Sequence, residues 1–299
     1  MTVSSRSSHV ALVTGANQGL GRALVEGLAA RMSPDDLVLL TGRNPQRVAD
    51  AAREVGALPG TRARIEGRVL DVTDTGAIAR LAEELQDRCG GVDVVISNAV
   101  ARVLPEESQA ERADEYIDVS NVATHAVLRS FGPLLRPGGR LLVVASSLGT
   151  LGRLPDRLHH LFDGVSLEQV EQAVESWRSA IHDKTAQEAG WPLWLNVPSK
   201  VAQVAAVRAL AAERRERDLA TGTLIAAVCP GMIDTATSRP WFSDYSQAQS
   251  PAQAAQAVLD LVFAEGVDPA LYGELVRFGQ ALPWHGGTPP VEQDRLLTP

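Results

Sequence analysis

The residues best suited to chemistry stand at the start of the chain. Val10-Ala-Leu-Val13 is a short apolar run that ends in Thr14-Gly15, and after Ala16, Asn17 and Gln18 comes Gly19-Leu20-Gly21. A helical pattern with Leu24, Leu28 and Ala29 on one side follows. Strand, glycine turn and helix in this order form the signature of a dinucleotide-binding βαβ unit. Glycines allow the backbone to approach a pyrophosphate with no Cβ in the way, and the helix start offers free N–H groups and a positive dipole end. Gly15, Asn17, Gln18, Gly19, Leu20 and Gly21 are therefore candidate cofactor-binding residues. A second chemical signal is a scarcity. Of 28 basic residues only two are lysine, Lys184 and Lys200, so a lysine at a chemically meaningful place is informative.

The 299 residues are enough for one large α/β domain with a substantial core. The balance of 45% hydrophobic and 21% charged residues is that of an ordinary globular protein. A net charge of -8 argues against a nucleic-acid partner. No apolar run is long enough to span a membrane, and Met1 to His9 lacks the apolar core of a signal peptide. Cys89 and Cys229 form no motif and read as reduced packing residues of a cytoplasmic protein. His159-His160 has no ligand partners nearby, so no metal site is expected.

The elements that must position the glycine turn alternate along the chain. Strand-like runs occupy Val10–Val13, Leu37–Thr41, Ala63–Leu70, Val92–Ser97, Arg140–Ala145, Leu224–Cys229 and Leu275–Phe278. Helical patterns separate them, including a long one from Arg112 to Leu135 that contains Asn121, and one that starts at Ser250-Pro251. The alternation implies a Rossmann-type doubly wound parallel sheet in a single domain, residues 1–299. Residues 148–195 read as an inserted helical segment before the helix of Lys200, in which Leu167, Val170, Val174, Trp177 and Ile181 form an apolar stripe behind a Ser166/Gln169 capping box. The stripe is expected to pack on the main domain, and residues 279–299 to form an irregular tail.

Over nearly the whole chain these residues resemble the short-chain dehydrogenase/reductase family. The matches are Thr14-Gly15-x-x-x-Gly19-x-Gly21, Asp71-Val72, Asn98-Ala99, Asn121, Ser147, Lys200 and Pro230-Gly231-x-x-x-Thr235. The long gap after Ser147, ending in Glu188-Ala-Gly-Trp-Pro192, is similar to the layout of the monomeric carbonyl reductases, in which an inserted helix covers the surface that other members use to assemble. The resemblance implies that Asp71, Val72, Asn98, Lys200, Pro230, Gly231, Ile233 and Thr235 join the cofactor site, and that the chain is a monomer. At the end of the second strand stands Thr41-Gly42-Arg43 rather than a carboxylate, which suits the 2′-phosphate of NADP. The second cation that the carbonyl reductases carry inside the glycine loop is here Gln18.

The resemblance breaks at its most reactive residue. In the family a tyrosine four residues before the lysine exchanges a proton with the substrate oxygen, the serine hydrogen-bonds the carbonyl, the lysine holds the nicotinamide ribose and the asparagine supports a water chain. Here the four positions read Asn121, Ser147, Asn196 and Lys200. An asparagine amide donates a hydrogen bond but yields no proton near neutral pH. Val100 stands where the family turn has glycine. Pro198 implies that a helix begins at Asn196, which leaves a helix-capping role for Asn196 open beside a chemical one. Trp194, Trp241, Phe242 and Tyr245 suggest a pocket for a bulky, flat, apolar small molecule.

Three functions fit this pattern: an NADPH-dependent ketone or quinone reductase with altered proton delivery, acting on a substrate such as a polycyclic natural product; a non-redox cyclase, dehydratase or isomerase of natural-product biosynthesis; and a non-catalytic NADP-binding protein. Loss of a general acid costs about 10²–10⁴-fold in rate, so assisted reduction stays within reach of the first.

Overall fold

Strands buried on both faces read as unbroken apolar runs, and the centre of this sheet is made of them. The computed structural model describes residues 8–241 and 244–287. Its strands are β1 (Val10–Val13), β2 (Leu37–Gly42), β3 (Arg64–Val69), β4 (Val92–Ser97), β5 (Leu135–Val144), β6 (Leu224–Val228), β7 (Leu275–Arg277) and β8 (Gln280–Leu282). Every residue of β1, β2 and β6 is buried, whereas β3, at the edge, is half-exposed. The order is β3-β2-β1-β4-β5-β6-β7-β8. All pairs are parallel except β7 with β8. The chain reverses its direction across the sheet between β1 and β4, which opens a crevice at their carboxyl ends, the usual ligand position in such sheets.

The helices are α1 (Gly19–Arg31), α2 (Pro45–Gly56), α3 (Thr75–Cys89), α4 (Gln109–Ile117), α5 (Ala123–Phe131), α6 (Leu167–His182), α7 (Ala186–Ala189), α8 (Asn196–Ala220) and α9 (Pro251–Val262). α2, α1 and α9 touch in one group, and α3, α5 and α8 in another. Asn44 caps α2 with Pro45 in its first turn, and Ser250 and Gln253 form a capping box ahead of α9. The whole has the single-domain Rossmann-type architecture that the alternation implies.

Four details differ from the sequence reading. The helix expected over Arg112–Leu135 is broken: α4 passes through one π-helical turn, Asp118–Val122, into α5, and Gly132–Leu134 is a 3-10 turn. The strand expected to begin at Arg140 begins at Leu135, so Pro137-Gly138-Gly139 lies within β5, where the register against β4 slips between Val92 and Val94. The tail after Gly279 is not wholly irregular, because Gln280–Leu282 pairs with β7. Finally, α8 begins at Asn196, but its cap position is Leu195, with helical dihedrals and no side-chain cap. Asn196 is therefore not a capping residue. Pro198 falls in the first turn, where a missing N–H breaks no intrahelical bond.

Ser166 and Gln169 form the expected capping box of α6, whose Leu167, Val170, Ala173, Val174 and Trp177 are buried. The helix packs on α4 and α8. Charges fasten it there: Arg129 holds Glu171 through two 2.7 Å bonds, and Arg178 donates to Asp118 at 2.5 Å. Trp191 packs between Trp177 and Phe162, with ring centroids 6.0 and 6.1 Å away.

His125 of α5 is buried with its Nε2 unpartnered. Burial pushes its pKa down to about 4 from the ordinary 6.5, opposed by a smaller upward pull from Glu171 and reinforced by Arg129. The folded state thus resists a proton that the unfolded chain accepts, and stability should fall as pH drops from about 6.5 toward 4. Urea midpoints of the parent should decline across this window, and those of His125→Leu should decline less. Parallel curves would assign the acid sensitivity to other groups.

Candidate functional site

The site is built where β1 and β4 end. Thr14 Oγ1 accepts from the Asn98 and Ala99 amides at 2.8 and 3.0 Å, and Asn98 Nδ2 donates back to the carbonyls of Thr14 and Gly15 at 2.9 and 3.2 Å. This reciprocal lock brings the backbones so close that a Cβ on Gly15 would stand 2.9 Å from the Cα of Ala99, and one on Gly21 only 2.5 Å from the carbonyl oxygen of Gly15. Gly15 and Gly19 also hold φ values of +61° and +56°, which favour glycine. At the start of α1 no side chain caps the free N–H groups, and no acidic residue occupies the first turn. Such an end stabilises an anion, so the cradle fits a pyrophosphate.

Apart from Lys200, the other expected cofactor residues follow β1, β2, β3 and β6 in the chain. Asn17 Oδ1 lies where a Cβ on Gly42 would be 2.8 Å away, Gln18 is exposed at the cap position of α1, and Leu20 is buried behind it. Arg43 is exposed at the end of β2, with Glu115 of α4 at 3.6 Å. Asp71 Oδ1 accepts from the amide and hydroxyl of Thr73 at 3.0 and 2.8 Å, and Val72 is buried beside it. The loop after β6 folds back over the turn. Gly231 has φ +84°, Gln249 donates to Pro230 O at 3.0 Å, Ile233 pairs with Gln249, and the Thr235 methyl stands 3.8 Å from where a Gly19 Cβ would be.

Ser147, Asn121, Asn196 and Lys200 gather around the start of α8. Ser147 opens a short 3-10 turn after β5, and Gly149 of that turn packs so tightly that a Cβ would lie 2.8 Å from Lys200 O. The Lys200 ammonium is buried and donates to Val144 O at 3.2 Å and to Gln203 Oε1 at 2.7 Å. Burial lowers its pKa to about 8, with the neighbouring Cys229 opposing the shift. Gln203 in turn donates to Ser120 O at 2.7 Å and to Thr124 Oγ1 at 3.0 Å. Asn121 lies in the π-helical turn; its Nδ2 donates to Ser199 O at 3.0 Å, while its buried Oδ1 has no partner. Asn196 Oδ1 accepts a 2.9 Å bond from the hydroxyl of Tyr116.

Tyr116 and Gln203 are the two members that the sequence reading did not include. Gln203 had a readable signal, since it lies three residues after Lys200 on one helix, within side-chain reach. Tyr116 had none, because its position depends on the π-helical turn.

Of the expected pocket residues, Trp194 and Trp241 pair with ring centroids 5.8 Å apart, and Trp241 Nε1 donates to Val103 O at 3.0 Å. Tyr245 is half-buried, and its hydroxyl is enclosed without a partner. Phe242 lies outside the described residues. Among the described residues no group of three or more His, Cys, Asp or Glu could hold a metal ion, and no helix is long and apolar enough to cross a membrane.

Known proteins resemble the chain in sequence and in fold. A sequence profile described as short chain dehydrogenase matches residues 9–154. The chain is 28% identical over 283 residues to carbonyl reductase [NADPH] 3 of Rattus norvegicus, covering 91% of this chain and 97% of the relative. Among solved structures, salutaridine reductase from Papaver somniferum superposes with a TM-score of 0.74 at 19% identity, covering 89% of this chain and 99% of that one. The NADPH-bound carbonyl reductase from chicken fatty liver does so with a TM-score of 0.65 at 20% identity, covering 93% and 100%. The first half of the chain thus resembles short chain dehydrogenases, and carbonyl reductases are among the proteins similar to it over nearly its whole length.

The lock between Asn98 and Thr14 is a testable foundation of the site. Asn98→Leu removes two hydrogen bonds and leaves their carbonyls unmatched, which should cost about 1–3 kcal/mol. Urea unfolding measures this, and an unchanged midpoint would show that the turn is held by its glycines alone.

Proposed function

We propose that this protein is an NADPH-dependent reductase of a bulky, apolar ketone or quinone, with polycyclic natural products as the substrate class. The observation that carries the proposal is the tight packing of the Ser147 turn on α8 at Lys200, beside a glycine turn suited to a pyrophosphate. The carbonyl reductases in the comparison, whose names include NADPH, support the same reading.

Gly15, Gly19, Gly21 and the start of α1 would hold the pyrophosphate, Thr235 would close over it, and Arg43 would pair with a 2′-phosphate in place of Glu115. When bound, NADPH supplies the hydride. Ser147 and Asn196 would orient and polarise the substrate carbonyl with two hydrogen bonds. Neither is a strong acid, so the alkoxide oxygen takes its proton from solvent by way of Ser147 or the Lys200 ammonium, which is largely charged at pH 7 with a pKa of about 8. Trp194 and Trp241 give the pocket a flat aromatic wall that suits a fused-ring substrate.

NADPH consumption with a panel of aromatic ketones and quinones tests the reaction. Binding titrations should favour NADP(H) over NAD(H), and Arg43→Ala should erase most of that preference. Product formation without NADPH consumption would transfer the scaffold to a cyclase or isomerase, and equal affinities in the parent would overturn the role of Arg43.

Because α6 covers α4 and α8, we read the protein as a cytoplasmic monomer. Sedimentation should give a single species near the 31.8 kDa chain mass. A larger assembly that persists on dilution would show that α6 does not mask the assembly surface.

A further inference from the structure

We propose that Tyr116 is a positioning residue that fixes the amide of Asn196 with its N–H groups turned to the substrate carbonyl. The proposal rests on the carbonyl-reductase reading above and deepens it, since it assigns a partner to the residue that replaces the family's proton donor.

The argument starts from a phenol that must donate. Tyr116 is buried at the end of α4 against α8, and burial pushes the pKa of its hydroxyl up, so it stays protonated at neutral pH. A buried O–H needs an acceptor. It finds one in Asn196 Oδ1 at 2.9 Å. An amide whose oxygen faces one way presents its nitrogen the other way, so the hydrogen bond that satisfies Tyr116 also orients Asn196. The half-buried Asn196 sits in the first turn of α8, one turn before Lys200. Its Nδ2 is therefore left to donate on the side away from α4.

The surroundings make this orientation matter. The Ser120 and Ser199 hydroxyls lie beside the phenol and are buried without other partners. If Tyr116 donated to either of them, its oxygen could accept from Asn196 Nδ2 and the amide would turn over. Asn196 Oδ1 would then face the cleft and repel a carbonyl oxygen. The bond from Tyr116 to Oδ1 selects the productive of these two arrangements. A phenol on the neighbouring helix thus acts through the amide at position 196.

The experiment is a double-mutant cycle on the full chain with acetylnaphthalene as the probe ketone. Tyr116→Phe deletes only the hydroxyl, and unchanged NADPH affinity and melting temperature should show that fold and cofactor site are intact. We expect kcat for the ketone to fall about tenfold with the KM for NADPH unchanged. The fall should disappear in an Asn196→Leu background, where no amide remains to be oriented. A second readout does not require turnover. Isotope-edited infrared spectroscopy should show the carbonyl stretch of bound acetylnaphthalene at lower frequency in the parent than in Tyr116→Phe.

If the parent consumes no NADPH but the infrared shift depends on Tyr116, the reductase reading fails and the positioning role stands. If the parent reduces the ketone, while Tyr116→Phe leaves both kcat and the carbonyl stretch unchanged, the positioning role is overturned and the reductase reading stands. An equal loss in the parent and Asn196→Leu backgrounds would also overturn it, since Tyr116 would then act without the amide.

Discussion

The whole arrangement depends on how closely the end of β4 approaches the turn after β1. Four hydrogen bonds between Thr14, Gly15, Asn98 and Ala99 set that distance, and the side chains absent from Gly15 and Gly21 permit it. The glycine turn and the start of α1 are hung from this seam. α1 leaves the turn with no side chain capping its first N–H groups. The loop after β6 reaches Gly19 through the Thr235 methyl. Asn98, which the family resemblance assigns to the cofactor site, spends its amide on this seam, so any influence it has on the cofactor passes through the shape of the turn.

Much of this was legible in the sequence because it obeys local rules. The apolar runs at Val10–Val13 and Leu224–Cys229 became buried strands, the Ser166/Gln169 and Ser250/Pro251 signals began helices where capping chemistry requires, and the glycine spacing marked the turn. What could not be read was non-local or irregular. Tyr116 and Asn121 are five residues apart, which on an ordinary α-helix puts them about 140° apart around the axis. The π-helical turn over Asp118–Val122 brings both toward α8, and no residue pattern announces it. The N-cap preference of asparagine was a sound local argument for Asn196, but Leu195 takes the cap position, and the Asn196 oxygen accepts a tertiary bond from Tyr116 instead.

Lys200 shows a related conflict between two demands. Burial makes its charge costly, and Gln203 and Val144 O lower that cost by accepting from the ammonium. The same bonds tie the lysine to Ser120 and Thr124 through Gln203, so its position is set jointly by α8 and by the helix that carries the π-helical turn. Whatever the lysine does for a bound cofactor competes with a pre-existing internal partner rather than with water alone.

Helix α6 touches that same irregular turn. Arg178 reaches Asp118 at the first residue of the π-helical segment, and His182 and Arg178 both approach Asp114 one turn earlier. Helix α6 thus braces the π-helical turn from outside, through a largely buried Arg178 whose carboxylate partners reach solvent. Partly buried ion pairs are screened by salt less than exposed ones. The path of the backbone that carries Tyr116 and Asn121 is therefore held in part by charged side chains of a helix outside that backbone.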